Sequence, residues 1–271
     1  MEKWNSLFFF ATDNGALCLG DDMKHCSEVC KVSGQIKSLL FYEKESSTII
    51  ITSHMLLVQF KLSATEKLTP SRKFKLSVAG DPGLIQAIWA GNGLIAISSG
   101  ENMIRLMNIE KDETYVLTLG DSIFGGALLN DKILSIAYNS KKRAIACGTK
   151  GGNIVMWRCK SMSGEPPTSS DGWEAKKQTK AELTDIYELM WGVSHGLICG
   201  LVPQGLVLLL ETQLKKKMRD SLQIIQTSQK AIDVRVQGKQ SGISVNLPFA
   251  IKGVPRTISL SGMGKKPIPT K

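Results

Sequence analysis

Histidine is the scarcest chemistry-bearing residue here, three in 271, so a nucleophile–base pair could draw only on His25, His54 or His195. Catalytic nucleophiles of the serine or cysteine type need a base within hydrogen-bond reach, and no Gly-x-Ser-x-Gly elbow supplies one. Ile258-Ser-Leu-Ser-Gly262 lacks the first glycine. Gly262-Met-Gly-Lys-Lys266 has neither the four-residue spacer nor the following Ser/Thr of a phosphate loop. Clustered metal ligands are equally scarce: His25-Cys26 with Cys30 is the one tight group, and no second pair stands at matching distance. That group reads as a turn with partly buried thiols. These shortages point away from an enzyme and away from any metal or cofactor.

Long hydrophobic runs are missing too. The apolar run Leu7 to Ala11 is shorter than the roughly 7–15 residues of a signal-peptide core. Gly196 to Leu210 is broken by Pro203-Gln204-Gly205 and falls short of the roughly 20 residues that span a bilayer. It reads as two buried strands around a turn. The six cysteines (Cys18, Cys26, Cys30, Cys147, Cys159 and Cys199) share no repeated spacing, which fits reduced thiols in a cytosolic protein better than a disulfide framework.

Negative charge is absent from one region in particular. Residues 212–271 hold 12 Lys/Arg against Asp220 and Asp233 alone, so the whole net charge of +10 resides there. Lys215, Lys216, Lys217 and Arg219 form its densest cluster and are the candidate contact patch. Such a patch attracts anionic lipid or nucleic acid without specificity. Phe249 is the one aromatic of the segment, so bases would find no stacking platform, and specific nucleic-acid recognition is not expected. A solvated basic face is the plainer reading.

What is present is repetition. Four units each open on a strand ending in an aromatic: Tyr42, Trp89, Tyr138 and Trp191, spaced 47, 49 and 53 residues apart. A second apolar strand follows in each, such as Thr48-Ile-Ile-Ile-Thr52 and Arg143-Ala-Ile-Ala-Cys147. A third strand then carries Phe60, Met107, Trp157 and Leu210, spaced 47, 50 and 53 apart. Two landmarks drifting together mark a true repeat, somewhat longer than the roughly 40–45 residues of compact WD repeats. The excess lies in loops such as Lys160 to Lys180, whose Gly-Glu-Pro-Pro-Thr-Ser-Ser core cannot be regular. Second strands that are apolar on both faces require a sheet on either side, which stacks the units radially as propeller blades. The expected fold is therefore all-β, a partial WD-repeat-type β-propeller of about four to five blades with a basic C-terminal tail.

Half a unit, Phe8 to Thr12 with Leu17 to Leu19, precedes the four. After Glu211 the pattern weakens: Gln213 to Ile225 fits a basic helix or an outer strand with its return, and Ala231 to Val236 and Gly242 to Phe249 fit strands. Residues 1–252 are assigned to the propeller, and 253–271 to a divergent, disordered basic tail. Trp89, Tyr138, Trp157 and Trp191 read as blade-to-blade packing. Trp173, beyond the proline-rich loop and among charges, reads as an exposed partner contact or as the start of an outer strand.

The stretches IKSLLFYEKE (36–45), GENMIRLMNIEKDETYVLTL (100–119) and GTKGGNIVMWR (148–158) resemble the intraflagellar transport protein 140 family, WD-repeat subunits of intraflagellar transport complex A. The similarity runs from about Leu7 to about Lys252. It covers later blades of the family's first propeller and not the start of that propeller, the second propeller or the helical solenoid. Gly253 to Lys271 do not resemble the family, which implies a truncated or alternatively spliced form. Met107-Asn108 stand where a Trp-Asp pair is expected, and the three histidines occupy no Gly-His position. The resemblance implies a non-catalytic scaffold whose partners are the other complex A subunits; peripheral contact with anionic membrane is the expectation from the basic cluster instead. The resemblance also implies retrograde transport, cilium assembly, delivery of membrane proteins to cilia, and a place in the cytoplasm and cilium (axoneme and basal body).

Overall fold

A computed structural model describes residues 2–246, except 5–6, 24, 64–66, 77–78, 162, 182–184, 194–195, 211–215, 220–221, 227–230 and 237–241. The chain divides into two compact units, Met1–Leu209 and Leu210–Lys271.

The first unit is built of five up-and-down sheets in chain order. The first contains β1 (Glu2–Trp4), β2 (Leu7–Ala11), β3 (Ala16–Asp21) and β4 (Cys26–Lys31). The second has β5 (Ile36–Tyr42), β6 (Ser47–Thr52), β7 (Leu56–Leu62) and β8 (Leu68–Lys75), and the third β9 (Gln86–Trp89), β10 (Leu94–Ser98), β11 (Met103–Asn108) and β12 (Glu113–Thr118). The fourth has β13 (Ile133–Asn139), β14 (Ala144–Thr149), β15 (Asn153–Cys159) and β16 (Trp173–Lys180). The fifth has three described strands, β17 (Glu188–Trp191), β18 (Leu197–Val202) and β19 (Gly205–Leu210). The opening strands β1, β5, β9, β13 and β17 lie side by side from sheet to sheet, the arrangement of propeller blades about an axis.

The apolar second strands explain the stacking. Neighbouring residues on a strand point to opposite faces, so Ile50 enters the layer between the first and second blades while Ile49 and Ile51 enter the next. Ile95 and Ile97 face the second blade, and Leu94 and Ala96 the fourth. Ala146 completes the layer between the fourth and fifth blades with Ile186, Leu189 and Ile198. Each such residue is buried, which contributes about 1.5–3 kcal/mol per large aliphatic side chain.

The outer strands are polar and exposed, as in Leu68–Lys75, and carry no hydrophobic signature from which sequence could place them. The leading half unit is in fact a complete four-stranded blade, because β1 and the polar β4 flank its two apolar strands. The second half of the loop expected over Lys160 to Lys180 is strand β16, paired along β15 from Cys159↔Trp173 to Asn153↔Lys180. Trp173 begins it and is 4% exposed, so its reading as an exposed contact is corrected and its reading as an outer-strand start holds. Its indole packs in the layer of Trp157 and Phe124, on the face of the strand opposite the exposed charge of Glu174.

The second unit holds one four-stranded sheet of β20 (Lys216–Arg219), β21 (Leu222–Gln226), β22 (Ala231–Val236) and β23 (Gly242–Asn246). All of its neighbours pair antiparallel. Lys216–Arg219 of the basic run is thus the edge strand of this sheet, with β21 as its return, and not a helix. Residues 253–271 lie outside the described residues.

Candidate functional site

The opening aromatics converge. Tyr42 and Trp89 end strands β5 and β9, and Tyr138 stands one residue before the end of β13. Together with Phe41 they line a cleft of about 820 Å³. Its volume lies within the roughly 300–1,000 Å³ of typical ligand sites. The loops after the first and third strands of the blades form its rim, bringing Glu43, Lys44, Gly91, Glu110, Glu165 and Pro166 to it.

Local chemistry shapes each wall. The Trp89 ring centroid lies 5.2 Å from that of Tyr42, and its indole N–H donates to the Phe41 carbonyl at 3.1 Å. Gly91, at φ +143°, has a conformation that side chains rarely adopt, and a Cβ there would sit 3.5 Å from Pro166 Cβ and 4.0 Å from the Tyr138 hydroxyl. The Asn108 side-chain oxygen accepts from the backbone N–H of Glu110 at 3.0 Å and of Lys111 at 3.1 Å. This Asx-type turn closes the β11–β12 connection at the degenerate Met-Asn position.

Electrostatics are settled on the rim by Glu110. It accepts from Lys44 Nζ at 2.7 Å and from the Tyr42 hydroxyl. Those two donors, Lys44 first, hold its carboxyl below the usual range. Burial, and then the bond to Glu110, push the Tyr42 phenol well above its ordinary value. The same carboxylate raises the Lys44 amine.

The proline-rich loop is held in place. The Arg143 guanidinium donates to the carbonyl of Ser161 at 2.7 Å and to those of Ser163 and Glu165. Tyr115 Oη donates to the Pro167 carbonyl at 2.8 Å and accepts from Trp173 Nε1 at 3.0 Å. Burial pushes the Tyr115 phenol up to about 12. The loop therefore lies across the space between the third and fourth blades, with Pro166 turned into the cleft.

The sequence-derived candidates fall elsewhere. Lys216, Lys217 and Arg219 stand on β20 of the second unit, and Lys215 is outside the described residues. Cys26 opens the outer strand β4, exposed, with Cys30 partly buried on the same strand. His25 Nδ1 sits 2.9 Å from Asp21 Oδ2 in the preceding turn. Among the described residues no group of three or more His, Cys, Asp or Glu could hold a metal, and no helix is long and apolar enough to cross a membrane. Tyr42, Trp89, Tyr138 and Trp191 each pack against a blade-to-blade layer, and Trp157 is buried in one. The first three serve the cleft as well. That second role escapes sequence reading, since one ring edge can be buried while the other lines a cavity.

Solved structures that share this architecture include a WD40 domain and a β-propeller domain. The C-terminal WD40 domain of Sif2 superposes with a TM-score of 0.57 at 13% identity, covering 76% of this chain and 55% of that one. Kluyvelomyces marxianus Hsv2 gives 0.54 at 14% identity, covering 86% of this chain and 76% of that one. The Myceliophteria_thermophila Cps50 (Swd1) β-propeller domain gives 0.54 at 11%, covering 90% and 84%. The chain thus spans just over half of the Sif2 domain, and likenesses at these identities establish the fold. The chain is a partial WD40-type β-propeller.

The family is defined by sequence. The description "IFT140 first beta-propeller" matches residues 1–212, and the chain belongs to that family.

Proposed function

We propose that the chain is a non-catalytic scaffold, a partial first propeller that docks other subunits of intraflagellar transport complex A. The observation that carries this is one of extent: the family match over 1–212 ends within three residues of the first compact unit, 1–209. The resemblance therefore covers all five blades of the first unit. Loops from several blades project together, and a standard interface of about 1,600 Å² can be assembled from them without any reacting group. The proposed setting is retrograde intraflagellar transport, cilium assembly and delivery of membrane proteins to cilia, in the cytoplasm and at the axoneme and basal body. The domain reading of 1–252 as propeller and 253–271 as basic tail belongs to the same proposal. The four-stranded antiparallel sheet β20–β23, which repeats the blade topology, supports it.

The test is affinity purification of the tagged chain from ciliated cells with mass spectrometry of its partners. Recovery of the other complex A subunits is expected. Recovery of chaperones alone would sink the proposal.

A second reading rests on charge: the entire +10 lies in residues 212–271. On that reading Lys215, Lys216, Lys217 and Arg219 lie against anionic lipid at about 1 kcal/mol per basic residue near the surface. Nucleic acid would be bound only without specificity. Replacing Lys215, Lys216 and Lys217 by Glu should then abolish flotation with phosphatidylserine vesicles. Unchanged flotation would remove the reading.

A further inference from the structure

The aromatic cleft is a built feature with no ligand yet assigned, and its chemistry is specific enough to name one. Three observations bear on it. First, its floor is made of aromatic rings from three successive blades, Tyr42, Trp89 and Tyr138, all within one cavity of about 820 Å³. Aromatic faces in a groove are the usual receptor for proline rings, whose polyproline conformation is extended and costs little entropy to fix.

Second, the chain already shows the wall taking proline. Pro166 enters the cleft beside Gly91 and Tyr138. The next residue, Pro167, lends its carbonyl to Tyr115 Oη at 2.8 Å. A proline of this chain thus already stands in the wall of the aromatic cleft, and the residue after it is held by a carbonyl bond. Proline lacks the N–H that would otherwise compete for acceptors, so its carbonyls are the polar groups that such a wall must satisfy.

Third, the rim is acidic in balance. Glu43, Glu110 and Glu165 face Lys44 and Lys111, and the Lys44 ammonium is already held by Glu110 at 2.7 Å. Glu43 and Glu165 are both exposed. A basic side chain on the ligand meets that surplus, and opposite charge near a groove fixes the direction of an extended peptide.

We propose that this cleft binds an extended, proline-containing peptide segment that carries a basic residue beside its prolines. The loop bearing Pro166 and Pro167 forms one side of the site. This goes beyond the scaffold role, since it gives one surface of the propeller a ligand of its own and holds whether or not complex A subunits dock elsewhere.

The test uses the full chain and a fluorescein-labelled octaproline flanked by two arginines, followed by fluorescence anisotropy. Two control peptides are an octaproline flanked by two glutamates and a Gly-Ser octamer flanked by two arginines. Saturable binding of the first is expected, with both controls weaker by about tenfold, the worth of one aromatic anchor or more. Tyr138→Leu keeps an apolar side chain at a half-buried position and should weaken the first peptide about tenfold. Replacing Glu43 and Glu165 by Lys alters exposed residues only, and should narrow or reverse the preference for arginine over glutamate flanks. Circular dichroism confirms that each variant is folded. Should a variant fail to fold, the three peptides compared on the unaltered chain still decide. No anisotropy change up to about 1 mM chain, the weak limit of useful affinity, would overturn the proposal. Equal binding of the proline and Gly-Ser peptides would overturn it too. Failure here with complex A subunits still co-purifying leaves the scaffold reading standing; binding here without co-purification does the reverse.

Discussion

Trp89 and Phe41 tie the third blade to the second: the indole N–H of Trp89 donates to the main-chain carbonyl of Phe41 at 3.1 Å. The bond joins the ends of two opening strands, one residue from where the Tyr42 and Trp89 rings meet. It therefore serves packing and cleft at once. Trp89→Phe keeps most of the ring contact and removes the donor. The expected loss is about 1 kcal/mol, the net worth of a typical hydrogen bond, read as a lower urea midpoint at unchanged slope. An unaltered midpoint would mean that the bond contributes nothing.

Trp157 is the largest fully buried side chain among the described residues, with its ring edge-on to Phe124 at 6.2 Å. It sits in the layer between the third and fourth blades. Trp157→Ala should cost about 3–5 kcal/mol through lost burial and the cavity left behind. Thermal denaturation should show a drop of roughly 10 °C, taking about 2–4 °C per kcal/mol for a unit of this size.

Tyr115 makes stability sensitive to alkali. Its folded-state phenol titrates at about 12 against an ordinary 10.0, with burial as the main cause. The neutral form is favoured by folding, so the contribution is complete below pH 10. Between pH 10 and 12 the unfolded chain ionises while the folded one resists, and stability falls with rising pH. Tyr115→Phe should cost about 1 kcal/mol for each of the two hydrogen bonds it removes near neutral pH. It should also decline less steeply than the unaltered chain across the pH 10–12 window. Parallel declines in urea titrations would contradict the assignment.

The fifth blade presents an apolar face. Leu206, Leu208 and Leu210 alternate along β19 with exposures of 68, 64 and 62%, and Met190 and Leu201 are exposed on β17 and β18 at 58 and 42%. In the first four blades the equivalent faces are covered by a neighbour. Exposed patches of this kind promote association. Substituting Leu206→Lys with Leu208→Lys should reduce self-association in light scattering, with little change in melting temperature because neither side chain is buried. A melting temperature lowered by many degrees would show the face to be internal.

The repeat was legible because burial leaves a signal in composition. Strands β6, β10 and β14 are enclosed on both faces, so their centres are apolar on both faces and their spacing can be counted. The outer strands left no such mark: Thr69 to Lys73 on β8 and Glu174 with Lys177 on β16 face solvent, and polar residues there resemble any loop. In the first blade the outer strand β4 is polar in the same way, and the opening strand β1 is only three residues long, so sequence shows half of the blade. Trp173 illustrates the converse, a core residue embedded in a charged strand where local sequence cannot reveal what packs on it from another blade. Of the cleft, the aromatic row was visible as a repeat landmark. Its rim was not, because Glu43, Glu110 and Pro166 come from loops after different strands and meet only when the blades are stacked.

The most direct test of the scaffold role is size-exclusion chromatography of the purified chain mixed with the other purified complex A subunits, with circular dichroism confirming the chain's β-fold. Co-elution of the chain with one or more of those subunits in a larger species is the predicted result. Elution of the folded chain alone, with every subunit at its own unshifted volume, would contradict it.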